Sequence, residues 1–450
     1  MPDKKKTAAE PMTDRARSVL TTVFITLFLD LVGFSIIFPL FPDMLQYYVE
    51  KEGDTGLLGH FIALLERFND SVAGGTDTGV IVLFGGVLAS LYSLLQFLFS
   101  PIIGSLSDRY GRKPLLLISI AGIAVSYVLW VFAGAFIILV LARIIGGMMA
   151  GNISTASAVV ADVTTPRNRP RGMAIIGMAF GLGFILGPAI GGISATLDLT
   201  QHFPALVPYG LNPFSMPALI ALALATINLL YVAFAFRETL PPNPDAADRV
   251  QRTINPFALF QNKEYPGVMQ TSLINFLFLT AFSGTEFGLT FLAAERLGYG
   301  PRQNAYLFVF VGVVLALVQG GYVRRRGPAI GPKRMSLHGF IALIPGVLIL
   351  AFAKNAPLIY LGLFLMAVGS AQVIPCLTSL ASAYAPAHVQ GRVLGVFRSL
   401  GALARGVGPL FACVLYWRLG ATAAYTILAA TVLIPLAITA TLPPARATDE

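Results

Sequence analysis

Apolar residues in this chain gather into long uninterrupted runs. They fall near 18–42, 79–103, 114–134, 136–163, 170–196, 215–236, 266–293, 303–323, 335–353, 357–384, 389–417 and 421–441. Each is close to the ~20 helical residues that cross a ~30 Å hydrocarbon layer. The pattern predicts an all-α membrane protein with twelve transmembrane helices. One polar, proline-rich break, 237–265, separates the first six runs from the last six; it holds Pro241, Pro242 and Pro244, then Asp245, Asp248, Arg249 and Arg252. The expected organisation is a tail (1–17), an N-terminal six-helix bundle (18–236), a linker (237–265), a C-terminal six-helix bundle (266–442) and a second tail (443–450). The connection 43–78 is long, and Phe61, Leu64, Leu65 and Phe68 recur in it at helical spacing. It reads either as a short interfacial helix or as a loop capping its own bundle.

Charge placement sets the expected orientation. The chain carries a net charge of +9, with 12% charged residues. With the N-terminus inside, the inside segments hold 22 of the 31 Lys and Arg, and the outside segments hold Lys51, Arg67, Arg296, Arg302, Lys354 and Arg418. That bias predicts both termini on the cytoplasmic side. Because the cations sit in short loops, nucleic acid is not an expected partner. Lys4, Lys5 and Lys6 before an apolar run superficially resemble a signal peptide, but the run is long and more spans follow, so it reads as a retained first span. Cys376 and Cys413 fall inside apolar runs and read as small buried hydrophobes. The sequence shows no metal spacing, nucleophile elbow or phosphate loop, so no enzyme activity is expected.

The two halves repeat. Thr239-Leu240-Pro241-Pro242 closes the sixth run and Thr441-Leu442-Pro443-Pro444 the twelfth. Gly187-Pro188 and Gly408-Pro409 occupy matching places in the fifth and eleventh runs, each 17 residues after an arginine (Arg171, Arg392). Gly104-Ser-Leu-Ser-Asp108-Arg109-Tyr-Gly111-Arg112-Lys113 is wedged between the second and third runs. Gly321, then Arg324, Arg325, Arg326, Gly331, Lys333 and Arg334, is a degraded copy.

This stretch, Gly-x-x-x-Asp-Arg-x-Gly-Arg-Lys, resembles the loop between the second and third helices of the major facilitator superfamily. Gly183-x-x-x-Gly187-Pro188-x-x-Gly191-Gly192 resembles the family's antiporter motif, although a generic tight helix pair also fits. Asp30, Gly33, Pro39 and Pro42 resemble the first helix of the drug/proton antiporter branch, which is tetracycline-exporter-like. Arg143, Gly147 and Gly151, with Asn152 following, resemble its fourth-helix motif. Phe282–Phe287 and Phe397–Arg405 resemble tetracycline-transporter-like members of the superfamily, which implies organic-anion efflux. The resemblance implies two pseudo-symmetric six-helix bundles, the major facilitator fold. It also implies that Asp108 meets the N-terminus of the eleventh helix near Gln390-Gly391-Arg392, gaining from the helix dipole. Arg112 is expected to pair with Asp162. The plainer alternative is a topogenic loop.

Ionisable groups inside spans are functional candidates because burying them in lipid is costly. Asp30 and Arg143 lie at similar expected depths, which suggests an Asp30–Arg143 pair serving either proton coupling or static helix contact. Glu286 in the seventh run is expected opposite Arg405 in the eleventh. Arg398 lies seven residues before Arg405, on the same face. It reads as an anion-binding group or as one reaching to the interface. Asn152, Asn275 and Gln372, with Asn228, Gln96, Gln270 and Gln319, are candidate cavity donors or ordinary interhelical bonds. The expectation is a monomeric, multi-pass plasma-membrane exporter of small amphiphilic molecules. It would need no cofactor and would be driven by a proton gradient. A uniporter, an importer and a non-transporting receptor or scaffold are the competing readings.

Overall fold

The computed structural model describes residues 13–53, 56, 58–60, 62–63, 77–164, 169–240, 266–384 and 390–443. Phe61, Leu64, Leu65 and Phe68, most of the linker and most of both tails lie outside the described residues. So do the side chains of Gln390, Gly391 and Arg392.

Within this range the chain is all helical. Ten helices are long and apolar enough to span by themselves, and a bent pair in the second span adds an eleventh. One of the ten, Val396–Thr441, contains two spans, because Gly420 breaks it with φ 77°. Twelve spans result. The first six are Asp14–Ser35, Asp77–Tyr110, Arg112–Val131, Phe136–Met149 with Asn152–Val163, Arg169–Ser194 and Ser215–Ala235. The last six are Pro266–Leu297, Pro301–Leu317 with its continuation to Ile330, Pro332–Phe352, Ala356–Tyr384, 390–419 and 421–441. The first span packs on the fifth and sixth, and the seventh on the eleventh and tenth. The second span meets the eleventh, and the fifth meets the eighth, across the two halves.

Three boundaries differ from the hydropathy reading, each for a local reason. The 104–113 stretch is not a loop. The second helix runs through it to Tyr110, one residue turns, and the third helix starts at Arg112. That residue is Gly111, at φ 102° and ψ 155°, a conformation that costs side-chain-bearing residues roughly 1–3 kcal/mol. Gly331, at φ 83°, makes the same one-residue turn between the eighth and ninth spans, although most of the motif's charges are missing there.

The fourth span is two helices broken at Ala150-Gly151, and Gln96 Nε2 donates to the freed Ala150 carbonyl at 3.1 Å. The second span bends by 40° between Ser100 and Ile102, and Ser154 Oγ donates to Ser100 O there at 2.9 Å.

The third difference lies in the connection after the first span, which begins as a helix, Phe41–Glu52. This helix caps the bundle. The buried Tyr48 hydroxyl donates to Ala133 O at 2.5 Å, and Glu52 Oε1 accepts the Phe136 N–H that opens the fourth span, at 2.6 Å. Arg296 does the converse work in the second half. Its guanidinium donates to the carbonyls of Leu350, Ala351 and Ala353 at the end of the ninth span. Unpaired helix ends are costly near a hydrocarbon layer, so charged side chains close them.

The internal repeat is visible in the packing. Ser35 on the first span lies against Gly187 and donates to Gly183 O at 3.0 Å. Ser283 on the seventh span lies against Gly408 and donates to Ala404 O at 3.4 Å. Each acceptor is four residues before the glycine of the Gly-Pro pair. Cys376 and Cys413 are buried free thiols, as read from their apolar runs.

Candidate functional site

A cavity lies between the halves. From the N-terminal half it is lined by Phe34, Phe38, Ala89, Ser93 and Phe184, and from the C-terminal half by Ser283, Glu286, Phe287, Thr290, Phe308, Arg405 and Pro409. Its empty volume, the open side included, is about 470 Å³. Five phenylalanines, three hydroxyls, one carboxylate and one guanidinium make an amphiphilic lining. Glu286 and Arg405 are thus brought together as expected from their spans. Arg405 is the dominant charged neighbour of Glu286, although no direct ion pair joins them.

The predicted Asp30–Arg143 ion pair is not formed. Asp30 Oδ2 accepts from Asn152 Nδ2 at 3.0 Å, so the carboxyl's partner is a neutral amide. Arg143 is buried against aromatic rings, with its guanidinium carbon 5.2 Å from the Trp130 ring and 5.7 Å from the Tyr92 ring. Its Nε has no hydrogen-bond partner among the described residues. Tyr92 and Tyr127 lie within electrostatic reach of both charges. The cause is the break in the fourth span. The half carrying Arg143 packs on the second and third spans; the half beginning at Asn152 packs on those two and also reaches the first span, where Asp30 lies. Asn152, read as either a cavity donor or an interhelical bond, takes the second role: it stands beside Asp30, inside the N-terminal half.

Two other expected cavity donors are used elsewhere. Asn275 Nδ2 donates to Phe397 O at 3.4 Å, tying the seventh span to the eleventh, and Gln372 Nε2 donates to its own helix at Val368 O, 3.0 Å. Neither lines the cavity. Arg398 does not reach only to the interface: its Nη1 donates to Ser157 Oγ on the fourth span at 3.1 Å, across the halves. Arg405 also crosses, with its guanidinium carbon 5.1 Å from the Phe180 ring on the fifth span.

At the Gly111 turn, Arg112 pairs with Asp162, Nε to Oδ2 at 3.0 Å, as expected. The same guanidinium contacts Asp108 at 2.6 Å and Ser107 Oγ at 2.7 Å. Asp108 is half exposed; the eleventh helix begins at Gln390, but the side chains needed to describe a meeting there are outside the described residues. Gly104 lies where an added Cβ would sit 3.3 Å from Ser154 Oγ, so it permits close packing on the fourth span. Arg109 lies over the Tyr110 ring at 5.1 Å, and Lys113 Nζ donates to Ala233 O at 2.8 Å.

Sequence reasoning missed Glu238. Its carboxylate accepts the N–H groups of Arg112 (3.0 Å), Lys113 (2.9 Å), Thr239 (2.9 Å) and Leu240 (3.0 Å). Burial alone would push this carboxyl up, but the four backbone donors outweigh it and hold it below the usual glutamate value. The signal was the residue before the repeated Thr-Leu-Pro-Pro, since Ala440 stands at the matching place in the second half.

The fifth-span glycines serve two neighbours. An added Cβ on Gly183 would sit 2.6 Å from Leu31 Cβ, and one on Gly187 would sit 2.5 Å from Val32 O; Gly191 lies against the Ile36 carbonyl of the same first span. Gly192 turns the other way, where a Cβ would sit 2.6 Å from Ala305 Cβ on the eighth span. Pro188 sits between these contacts, inside the helix.

This geometry has counterparts in known proteins. The family model described as Major Facilitator Superfamily matches residues 23–409. The chain belongs to the major facilitator superfamily. Its relatives include major facilitator superfamily domain-containing protein 10 from Bos taurus, 36% identical over 95% of this chain and 94% of that protein. The tetracycline resistance protein, class B, from Escherichia coli is 28% identical over 86% of both chains. The crystal structure of the human organic anion transporter MFSD10 (TETRAN) superposes with a TM-score of 0.76 at 33% identity, covering 95% of this chain and all of that one. A D-xylose–proton symporter, at 14% identity, 95% and 98% coverage and a TM-score of 0.69, shares the fold alone. As a superfamily member the chain is a multi-pass integral membrane transporter of small molecules, not an enzyme.

Proposed function

We propose that this transporter is a proton-coupled exporter of small amphiphilic organic compounds, organic anions among them, working by alternating access. The observation that carries the reading is the amphiphilic cavity between the halves, where Glu286 and Arg405 stand among five phenylalanines. Rings supply contact area without fixing one substrate, and a guanidinium attracts a carboxylate or sulfonate. Similarity to an organic anion transporter and to tetracycline resistance proteins supports the same class. Asp30 and Glu286 are the acids assigned to proton exchange. Neither is locked in a direct ion pair, so each can take and release a proton without breaking one. The turn at 104–113 and the Gly183–Gly192 contact are assigned to gating and antiport. The loop charge bias supports cytoplasmic termini; a plasma-membrane location and a monomeric state complete the proposal.

Proteoliposomes with an imposed pH gradient test the reading. Efflux of an amphiphilic aromatic acid should follow the gradient in the wild-type chain and lose that dependence in Asp30→Asn or Glu286→Gln. Arg405→Ala should weaken transport of the anion more than that of an amphiphilic cation. Unchanged gradient dependence in both acid variants removes the coupling assignment.

A further inference from the structure

We infer that residues 197–209, between the fifth and sixth spans, form a lipid-docking surface that lies in the headgroup layer on the side of the bilayer opposite the Gly111 turn. The partner is the uncharged lipid interface. The inference does not depend on what the transporter carries or on what drives it.

The internal repeat shows that joining the two spans does not require this segment. In the second half one glycine, Gly420, turns the eleventh span into the twelfth. In the first half the fifth span ends at Ser194 and the sixth begins at Ser215. The chain between them builds a short α-helix, Leu199–His202, and a 3-10 helix, Pro204–Tyr209. Its own bonds hold it in shape. The Asp198 carboxylate accepts from the Thr200 N–H at 2.9 Å, from Thr200 Oγ1 at 2.7 Å and from Gln201 Nε2 at 3.3 Å. Asp198 is the only Asp, Glu, Lys or Arg in the segment, so its one full charge is engaged. Leu206 N donates to Phe203 O and Gly210 N to Val207 O, each at 3.0 Å. Pro204 and Pro208 have no N–H to satisfy. Asn212 Nδ2 at 3.3 Å and Ser215 Oγ at 2.6 Å both donate to Val131 O, which clamps the end of the segment to the third span. That span runs from the Gly111 turn to Val131, so the segment sits at the far end of the bundle.

With its backbone occupied, the segment turns its side chains outward. Every residue from Gln201 to Tyr209 is exposed, with Phe203 at 55% and Tyr209 at 75%. Leu206 and Val207 are exposed beside them. The neighbouring surface shows what covers them. Ile193 and Leu197 at the end of the fifth span, Leu219 near the start of the sixth and Phe132 at the end of the third are exposed apolar side chains of the membrane-embedded bundle. The segment extends that lipid-facing surface around the corner of the bundle. Its make-up suits the headgroup level: apolar side chains, a tyrosine with a polar tip, and a largely self-satisfied backbone. Without Lys or Arg it cannot select anionic lipid, and without a free charge it offers no electrostatic match to a protein partner.

Spin labels on the full chain test this, with Cys376 and Cys413 replaced by alanine. Single labels go at Phe203→Cys, Leu206→Cys and Tyr209→Cys. Lys354→Cys serves as the exposed loop reference on the same side, and Ile227→Cys as the reference within a span. Collisions with oxygen, which enters lipid, and with a water-soluble nickel chelate are measured in phosphatidylcholine nanodiscs holding one copy each. Labels at 203, 206 and 209 should lose nickel collisions several-fold relative to 354 and gain oxygen collisions, falling between the two references. Nickel collision rates equal to that at 354 place the segment in water and overturn the inference. Loss of both oxygen and nickel collisions means that protein covers the surface; if that appears only in liposomes with many copies, the cover is a second copy. Either result overturns the lipid assignment. Adding phosphatidylglycerol should leave the rates unchanged, and rates that follow the anionic lipid overturn the choice of an uncharged interface.

Discussion

Gly191→Ala should destabilise the protein although alanine is the better helix former. Gly191 faces the backbone of the first span. An added Cβ would sit 2.8 Å from the Ile36 carbonyl carbon and 3.2 Å from its Cα, with the carbonyl oxygen closer still. Comfortable carbon contacts begin near 3.5 Å. A side chain could rotate away; a backbone carbonyl cannot. The first and fifth spans must therefore part by roughly 1 Å, and overpacking of this kind costs about 1–3 kcal/mol. Parting also stretches the buried Ser35 hydrogen bond to Gly183 O, now 3.0 Å, at a cost of about 1 kcal/mol. Alanine returns about 1 kcal/mol of helix propensity. The net effect is a loss of about 1–3 kcal/mol. Gly177 provides the control on the same helix, because nothing lies within 4 Å of its added Cβ. Gly177→Ala should be neutral or stabilising by up to about 1 kcal/mol. Thermal unfolding of the two variants in one detergent decides the matter. If Gly191→Ala melts with or above Gly177→Ala, the close contact of the two spans is not what this glycine provides.

Glu238→Ala removes the acceptor for four backbone N–H groups and should cost about 1–2 kcal/mol in thermal stability, in line with loss of a helix N-cap. The folded-state carboxyl lies below its ordinary value of 4.5, so its contribution is complete above that pH and fades as pH falls through the lowered value. Acidification below about 4.5 should therefore lower the melting temperature of the wild-type chain more than that of Glu238→Gln; parallel curves would count against the cap. Gly111→Ala and Gly331→Ala both place alanine at positive φ with ψ near 150° and should each cost about 1–3 kcal/mol. Gly111→Ala should cost more, because its Cβ would sit 2.7 Å from Glu238 Oε2 whereas Gly331 has open space; equal melting temperatures would refute the asymmetry. Gly192→Ala pushes on the eighth span across the halves, so it should speed maleimide labelling of Cys413 in a Cys376→Ala background. An unchanged labelling rate would show that this contact does not hold the seam closed.

Hydrophobic run length was enough to find the spans, because every backbone group in a lipid core must be satisfied within its own helix. The duplication was readable from Gly187-Pro188 and Gly408-Pro409, but the serines that meet those glycines, Ser35 and Ser283, came only from packing. Arg112 with Asp162, and Glu286 near Arg405, were legible because each pair sits at the end or centre of spans the fold must bring together. The Asp30–Arg143 pair was not a sound reading, because depth along a helix says nothing of a break within it. Two residues at Ala150-Gly151 hand Asp30 to Asn152 and turn Arg143 toward Trp130 and Tyr92.

What the sequence determined alone was local and one-dimensional: which segments lie in lipid, where they turn, and which costly charges they carry. Tertiary structure decided the partners. A buried charge is stabilised by whatever polar or aromatic group lies within a few ångströms, and that neighbour belongs to another helix whose rotation and kinks no single segment encodes.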